Sequence, residues 1–545
     1  MTLTLGALLA GCAPLHHPPE AAAPPPSPGA ALDALIEEAW RAAKVTPVRD
    51  ADDGELLRRM TLDLIGRVPT LAEARAYLAD PAPAAERRAR LADRLLASQD
   101  FAEHWGNVYA DLLFGTEGKA ARLQKRYDPA SWLVQAFAEN RRYDLLARQL
   151  LTAEGDVRQD GAAAFVGIRS SGGGGPEAVT GATARIFLGL QIQCAQCHDH
   201  PYDPRWKQQD FYGLVGYFAR TRAKQEPVAN EPAEPMAEMA DESWMLAQAK
   251  PGKTLVVFEA PKGEAKMRRP HTDKEVVVQP RFLGAALTER PQESRRQTLA
   301  RAVIASDLFA KTVVGRTWAQ LFGRGIVDPW DDLGGEDDPR HPPLLTALAR
   351  DFVDSGYDFK HLLRTIVLST AYGRSASLGG DEADASARAF ARAAVRPLGP
   401  EPLFKSLLVA TGVEQMARRR DASAEPGKRT RAAFKEYQFV FADDEMAEAD
   451  RFNGSVPQAL LLMNGELTNR AVHAEEGGNL AAILDASKDA GRRLDDLFLT
   501  ALTRFPRPDE RQRFLAYLQA QKNARPAYED VFFALLTSTE AITNH

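Results

Sequence analysis

The chain has 545 residues and a mass of 59.7 kDa, beyond one compact core and suited to two to four domains at roughly 100–200 residues each. Apolar residues make up 45% and charged residues 26%, which supports buried cores and excludes a disordered chain. A formal charge of -6 and a pI near 6.0 give no long-range attraction to nucleic acid. Only three cysteines are present, Cys12, Cys194 and Cys197, so a disulfide framework is also excluded.

The first of these sets an address. Residues 3–11 (LTLGALLAG) form an apolar run that is too short to span a bilayer core of about 30 Å as a helix. Small residues then precede Cys12, the layout of a bacterial lipoprotein signal over residues 1–12, with Cys12 as the lipidated first residue of the mature protein. Met1-Thr2-Leu3-Thr4 lacks the positive charge that opens an export signal, which predicts a true start upstream. Ala13 is not the acidic residue that retains many lipoproteins at an inner membrane. The expected location is therefore the cell envelope, lipid-anchored at the outer membrane. Residues 13–30 are rich in Pro and Ala and read as a semi-extended tether, including the pair His16 and His17.

From residue 31 to 220 apolar residues recur at helical spacing, as in Leu56, Met60 and Leu64 or Leu91, Leu95 and Leu96. Gly66 reads as a helix stop and Thr70 as the cap of the next helix. Gly172–Gly175 reads as a flexible entry to a following helix and, without a Gly-Lys-Ser/Thr ending, not as a phosphate loop.

Cys194-Ala195-Gln196-Cys197-His198 is a C-x-x-C-H, the spacing of covalent c-type haem attachment. The two thiols would form the thioethers and His198 would be the proximal iron ligand. Phe187, Leu190, Cys194 and Cys197 follow a helical series that predicts both sulfurs facing inward. Two other chemistries fit the same residues. One is a zinc or iron centre built from Cys194, Cys197, His198 and His200, with Asp199 or Asp203 nearby. The other is a local Cys194–Cys197 disulfide, permitted by an oxidising envelope. By residue type, His104, Met236, Met239, Met245, His271 and His341 are candidates for a sixth iron position, and none is assigned.

Residues 221–293 read as a linker followed by a small β element. Glu, Pro, Ala and Met dominate to about residue 252, and the β-like runs TLVVF (254–258) and EVVVQ (275–279) predict one hairpin. Helical spacing returns over residues 294–545. The acidic stretch from Asp328 to Asp338 lacks the EF-hand order of ligands and reads as a solvated loop. Arg418–Arg420 with Lys428 and Arg429 reads as a solvated basic linker. No G-x-S-x-G or H-E-x-x-H motif is present. The predicted architecture is mainly α, two helical domains with a small β-hairpin element between them.

C-A-Q-C-H-D-H-P-Y-D-P followed by D-F-Y-G-L resembles the signature of the cytochrome-associated domain of unknown function 1549, found in planctomycete-type envelope proteins. Residues 57–70 and 91–112 extend that likeness. Residues 314–332, 341–372, 452–467 and 502–510 resemble its habitual companion, domain of unknown function 1553. The resemblance implies export and cytochrome-like character without supplying a reaction. Three functions follow as expectations. The first is redox or electron transfer at the envelope through one haem c, or failing that a transition metal such as Zn or Fe, with an envelope redox partner and no nucleic acid. The second is a non-redox binding or scaffold protein with the local disulfide, and the third a metal-dependent hydrolase of envelope or extracellular glycans.

Overall fold

The structure is a computed structural model that describes residues 28–115, 118–227, 253–269, 274–335, 342–376, 383–413, 455–465 and 478–545, with short pieces between them. Cys12, most of the tether, the basic linker, Met236, Met239, Met245, His271 and His341 lie outside the described residues.

The fold is mainly helical, as expected. The first part runs α1 (Pro28–Ala43), α2 (Asp53–Ile65), α3 (Leu71–Leu78), α4 (Ala84–Leu96) and α5 (Gln99–Phe114). Then come α6 (Gly118–Tyr127), α7 (Pro129–Ala138), α8 (Tyr143–Thr152), α9 (Ala163–Arg169), α10 (Gly175–Leu188) and α11 (Gln208–Phe218). The second part contains α12 (Arg295–Ala305), α13 (Asp307–Phe322), α14 (Pro343–Asp354) and α15 (Phe359–Val367). It continues through shorter helices to a closing group that includes Ala490–Leu502, Pro508–Ala520 and Arg525–Leu536. Among the described residues no helix is long and apolar enough to cross a membrane.

Local chemistry sets many of these boundaries. Asp52 caps α2 by accepting from the Glu55 amide, and Gly66 ends it in the left-handed conformation at φ 68°. Thr70 and Glu73 close a reciprocal capping box on α3, and Ser294 with Gln297 does the same for α12. The glycine-rich run is not a loose entry. Ser170–Gly174 forms a turn of π-helix between α9 and α10, a widened turn of the kind often found at functional sites.

The β-like runs are strands, but they do not pair with each other. β1 (Gly155–Asp156), β2 (Thr221–Pro227) and β3 (Lys253–Glu259) form an antiparallel sheet in the order β1-β3-β2, with Ala223 opposite Val257. β4 (Ala265–Arg268) and β5 (Glu275–Val278) form a separate antiparallel pair. The single predicted hairpin is therefore replaced by two small sheets, because TLVVF finds its partner at the start of the supposed linker. A third pair joins β6 (Arg396–Pro397) to β7 (Thr543–Asn544) at the end of the chain.

Buried side chains form two cores. The larger one contains Leu57, Trp105, Phe187 and Phe218 from the first part and also Leu299, Trp318, Phe352 and Tyr372 from the second. The smaller one is built mainly from residues 398–541, joined by Leu62 of α2 and by Val68. Helices α12 to α15 thus share a core with the segment that carries the cysteines, and the described part of the acidic stretch after α13, residues 328–335, meets the cysteine loop through Asp331 and Leu333.

Candidate functional site

The cysteines lie on the segment between α10 and α11, and it is a loop rather than a continuation of the helix. Gly189 adopts the left-handed conformation at φ 63° and ends α10 at Leu188. A Cβ added there would come within 2.8 Å of both Leu333 and the Thr312 hydroxyl, so close packing as well as conformation favours glycine. Beyond it the helical arithmetic no longer applies. Leu190, Ile192 and Ala195 point inward, at 1%, 2% and 0% exposure, while Cys194 and Cys197 are exposed. The expectation of inward-facing sulfurs is corrected accordingly. Cys194 sits in a single 3-10 turn (Gln193–Gln196), and the Cys197 amide donates to the Cys194 carbonyl at 3.4 Å. The two thiols are not joined in a disulfide.

The two histidines of the loop have different roles. His198 is exposed, and its Nδ1 lies 2.7 Å from the Asp199 carbonyl oxygen. A carbonyl only accepts, so Nδ1 carries the proton and the Nε2 lone pair of the neutral ring is left available. His200 is used internally. The Asp203 amide donates to its Nδ1 at 2.9 Å, so Nε2 carries the proton and donates to the Gln191 carbonyl at 3.1 Å. Its own amide donates to the Trp206 carbonyl at 2.9 Å. In this arrangement His200 staples the loop and has no lone pair to give a metal. Among the described residues no group of three or more His, Cys, Asp and Glu is arranged to hold a metal ion.

The neighbouring carboxylates are also committed. The Gln208 amide donates to Asp199 Oδ1 at 3.0 Å, which together with Lys207 holds the Asp199 carboxyl below its ordinary range. Asp203 is held low by Arg205, whose guanidinium donates to both carboxylate oxygens.

Several residues that organise the turn carry no motif and were missed in the sequence. Gln208 is buried at the start of α11, and its side-chain amide is shared among the carbonyls of Gln196 (3.2 Å), Cys197 (3.3 Å) and Arg268 (3.0 Å). It fastens the cysteine turn to β4. Gln208→Ala is expected to leave those carbonyls without a donor and to cost about 1–2 kcal/mol, read by urea unfolding. A change below about 0.3 kcal/mol would remove Gln208 from this role.

The acidic loop is not simply solvated. Asp331 is 4% exposed and accepts from Arg185 Nε at 2.5 Å and Gln191 Nε2 at 2.7 Å. His104, a candidate for the sixth iron position, lies fully buried in α5, and a Cβ added at Gly66 would stand 2.4 Å from its Nδ1.

The fold and this loop define a helical protein that presents a C-x-x-C-H turn at its surface, fastened by elements from both parts of the chain. Residues 31–223 match the family described as Protein of unknown function (DUF1549), PSCyt2, and residues 295–518 match Protein of unknown function (DUF1553), PSD1. The two matches follow one another along the chain in that order. No curated protein and no solved structure matches it.

Proposed function

We propose that the protein is an exported lipoprotein, anchored through Cys12, that carries one covalently held haem on Cys194 and Cys197 and performs redox work at the cell envelope with a partner there. The observation that carries this reading is the state of the turn. Two exposed thiols stand three residues apart, and the histidine next to them has its Nδ1 proton given to a carbonyl and its Nε2 lone pair available. That is the donor set a covalently attached iron porphyrin requires. When bound, haem would supply a one-electron couple at the iron. The chain's own contribution is to fix the ring of His198 through the Asp199 carbonyl and the turn through Gln208, so that thiols and imidazole are presented together.

The test is expression in a host able to mature c-type haem. The expected result is a Soret band that survives acid–acetone extraction, lost when both cysteines are replaced by Ala. Stoichiometric metal without haem would overturn this reading in favour of a metal centre, including the hydrolase function. Neither haem nor metal, with no titratable thiol at Cys194 and Cys197, would overturn it in favour of a disulfide-stabilised scaffold.

A further inference from the structure

Asp331 stands in the DUF1553 segment, 146 positions from Arg185 and 140 from Gln191, yet both donate to it at a depth where its side chain is 6% exposed. A carboxylate held there is retained because both oxygens receive hydrogen bonds, one of them charge-assisted. The same loop makes a backbone contact, since the Leu333 amide donates to the Gly189 carbonyl at 2.8 Å. Leu333 also fills the space that a side chain at Gly189 would need.

Close by, Arg316 of α13 donates to the Ile186 carbonyl at 2.8 Å, near the end of α10. Its guanidinium lies over the Trp330 ring at 5.4 Å, and Arg185 lies over the same ring at 5.8 Å. The end of α10 and the first residues of the cysteine loop therefore rest on residues 316–333. From Gln191 the connection continues, because its side chain is held by Asp331 while its carbonyl accepts from His200 Nε2. His200 Nδ1 in turn receives the Asp203 amide.

We propose that Asp331 is a positioning residue for the cysteine and histidine turn, acting through Gln191 and His200, so that the second family segment completes a site whose donor atoms all come from the first. It touches none of the donor atoms itself. The consequence is that the DUF1549 segment alone would present its C-x-x-C-H on a loop that keeps Gln208 and lacks the fastenings that Asp331 and Leu333 supply. This inference rests on the haem reading for what the turn binds, but its geometry can be read without haem.

The experiment uses the full chain, first without haem. Asp331→Ala is expected to speed amide exchange at His200 and Asp203 about tenfold while the helices of the first core exchange as before. Histidine-selective 15N labelling should show His200 as the Nε2–H tautomer in the parent protein, and that preference should be lost in the variant. Asp331→Asn keeps an acceptor oxygen for Gln191 and loses the charge facing Arg185, so it should retain the tautomer with an intermediate exchange rate. It also serves as the readable variant should Asp331→Ala not fold. Exchange and tautomer unchanged in both variants would overturn the proposal.

In a host that matures haem, Asp331→Ala should lower the fraction of chains carrying covalent haem about tenfold, the size expected for loss of an outer-shell partner. A parent protein that takes up no haem overturns the haem reading alone, since the exchange and tautomer measurements still decide the role of Asp331.

Discussion

Replacing Arg58 by Ala is expected to lower the free energy of unfolding by about 3–5 kcal/mol, because buried carbonyls lose their donor and a large side chain leaves a cavity. Arg58 is completely buried in α2, and its guanidinium donates to four backbone carbonyls, those of Ala501 (3.3 Å), Glu540 (3.1 Å), Ala541 (2.7 Å) and Thr543 (3.2 Å). Burial pulls its pKa down to about 10, so it remains a cation at neutral pH, with Glu540 as the nearby negative charge. These carbonyls belong to the closing helix Ala490–Leu502 and to the C-terminal segment, whereas Leu57, Met60 and Leu64, which flank Arg58 on α2, lie in the larger core. Truncation would leave the four acceptors buried without this donor and open a cavity at the junction of the two cores.

Arg58→Met refills most of the volume without restoring a donor, so it should recover part of the loss and no more. Urea unfolding gives the magnitude, and faster amide exchange at Thr543 and Asn544 locates it at β7. A loss under about 1 kcal/mol would show that water or another donor replaces the guanidinium.

The role of Arg58 illustrates how far local pattern carries. Helix boundaries set by neighbouring residues were legible, because Gly66 and Thr70 act on amides and carbonyls within four positions. The strands were legible as β-branched runs, but their partners were not. Register between Ala223 and Val257 depends on a pairing across a segment with no periodic signal.

At the candidate site the donor atoms were legible from a five-residue spacing, and their direction was not. The helical extrapolation from Phe187 through Cys197 failed at one residue, Gly189, whose left-handed conformation rotates everything after it. A glycine directly after an apolar helical run is a stop signal, so the break at Gly189 is itself legible in the sequence. The burial of Asp331 was not, since a carboxylate among other carboxylates reads as solvated until Arg185 and Gln191 are brought to it by the packing of α10 on α13. Amide side chains such as Gln191 and Gln208 act by geometry alone and leave no mark in composition or spacing.

Stability is expected to fall on mild acidification, beginning near pH 6.5 rather than in the carboxylate range, by about 3 kcal/mol at pH 4 through His104 alone. His104 is fully buried in α5 beside Gly66 and Trp105, and burial pushes its pKa from 6.5 down to about 4, only partly opposed by Glu401. In the unfolded chain the ring takes up a proton as the pH drops through its ordinary value, while in the folded chain it stays neutral down to about 4. Between those limits the unfolded state binds more protons, so stability declines with falling pH at up to about 1.4 kcal/mol per unit. Above that window both states are neutral and the group contributes no slope.

His545 acts in the same direction, because burial beside Arg58 pushes it down as well. Glu73, Glu293 and Glu540 are held below their ordinary range by Arg partners and contribute in a lower window, as the pH falls from the ordinary Glu value toward their own. His104→Gln should therefore remove about 1.4 kcal/mol per unit from the slope between pH 6.5 and 4, leaving the His545 contribution and the carboxylate loss in place. Urea midpoints at pH 7, 6 and 5 measure this directly, and an unchanged slope in His104→Gln would show that the ring reaches water in the folded protein.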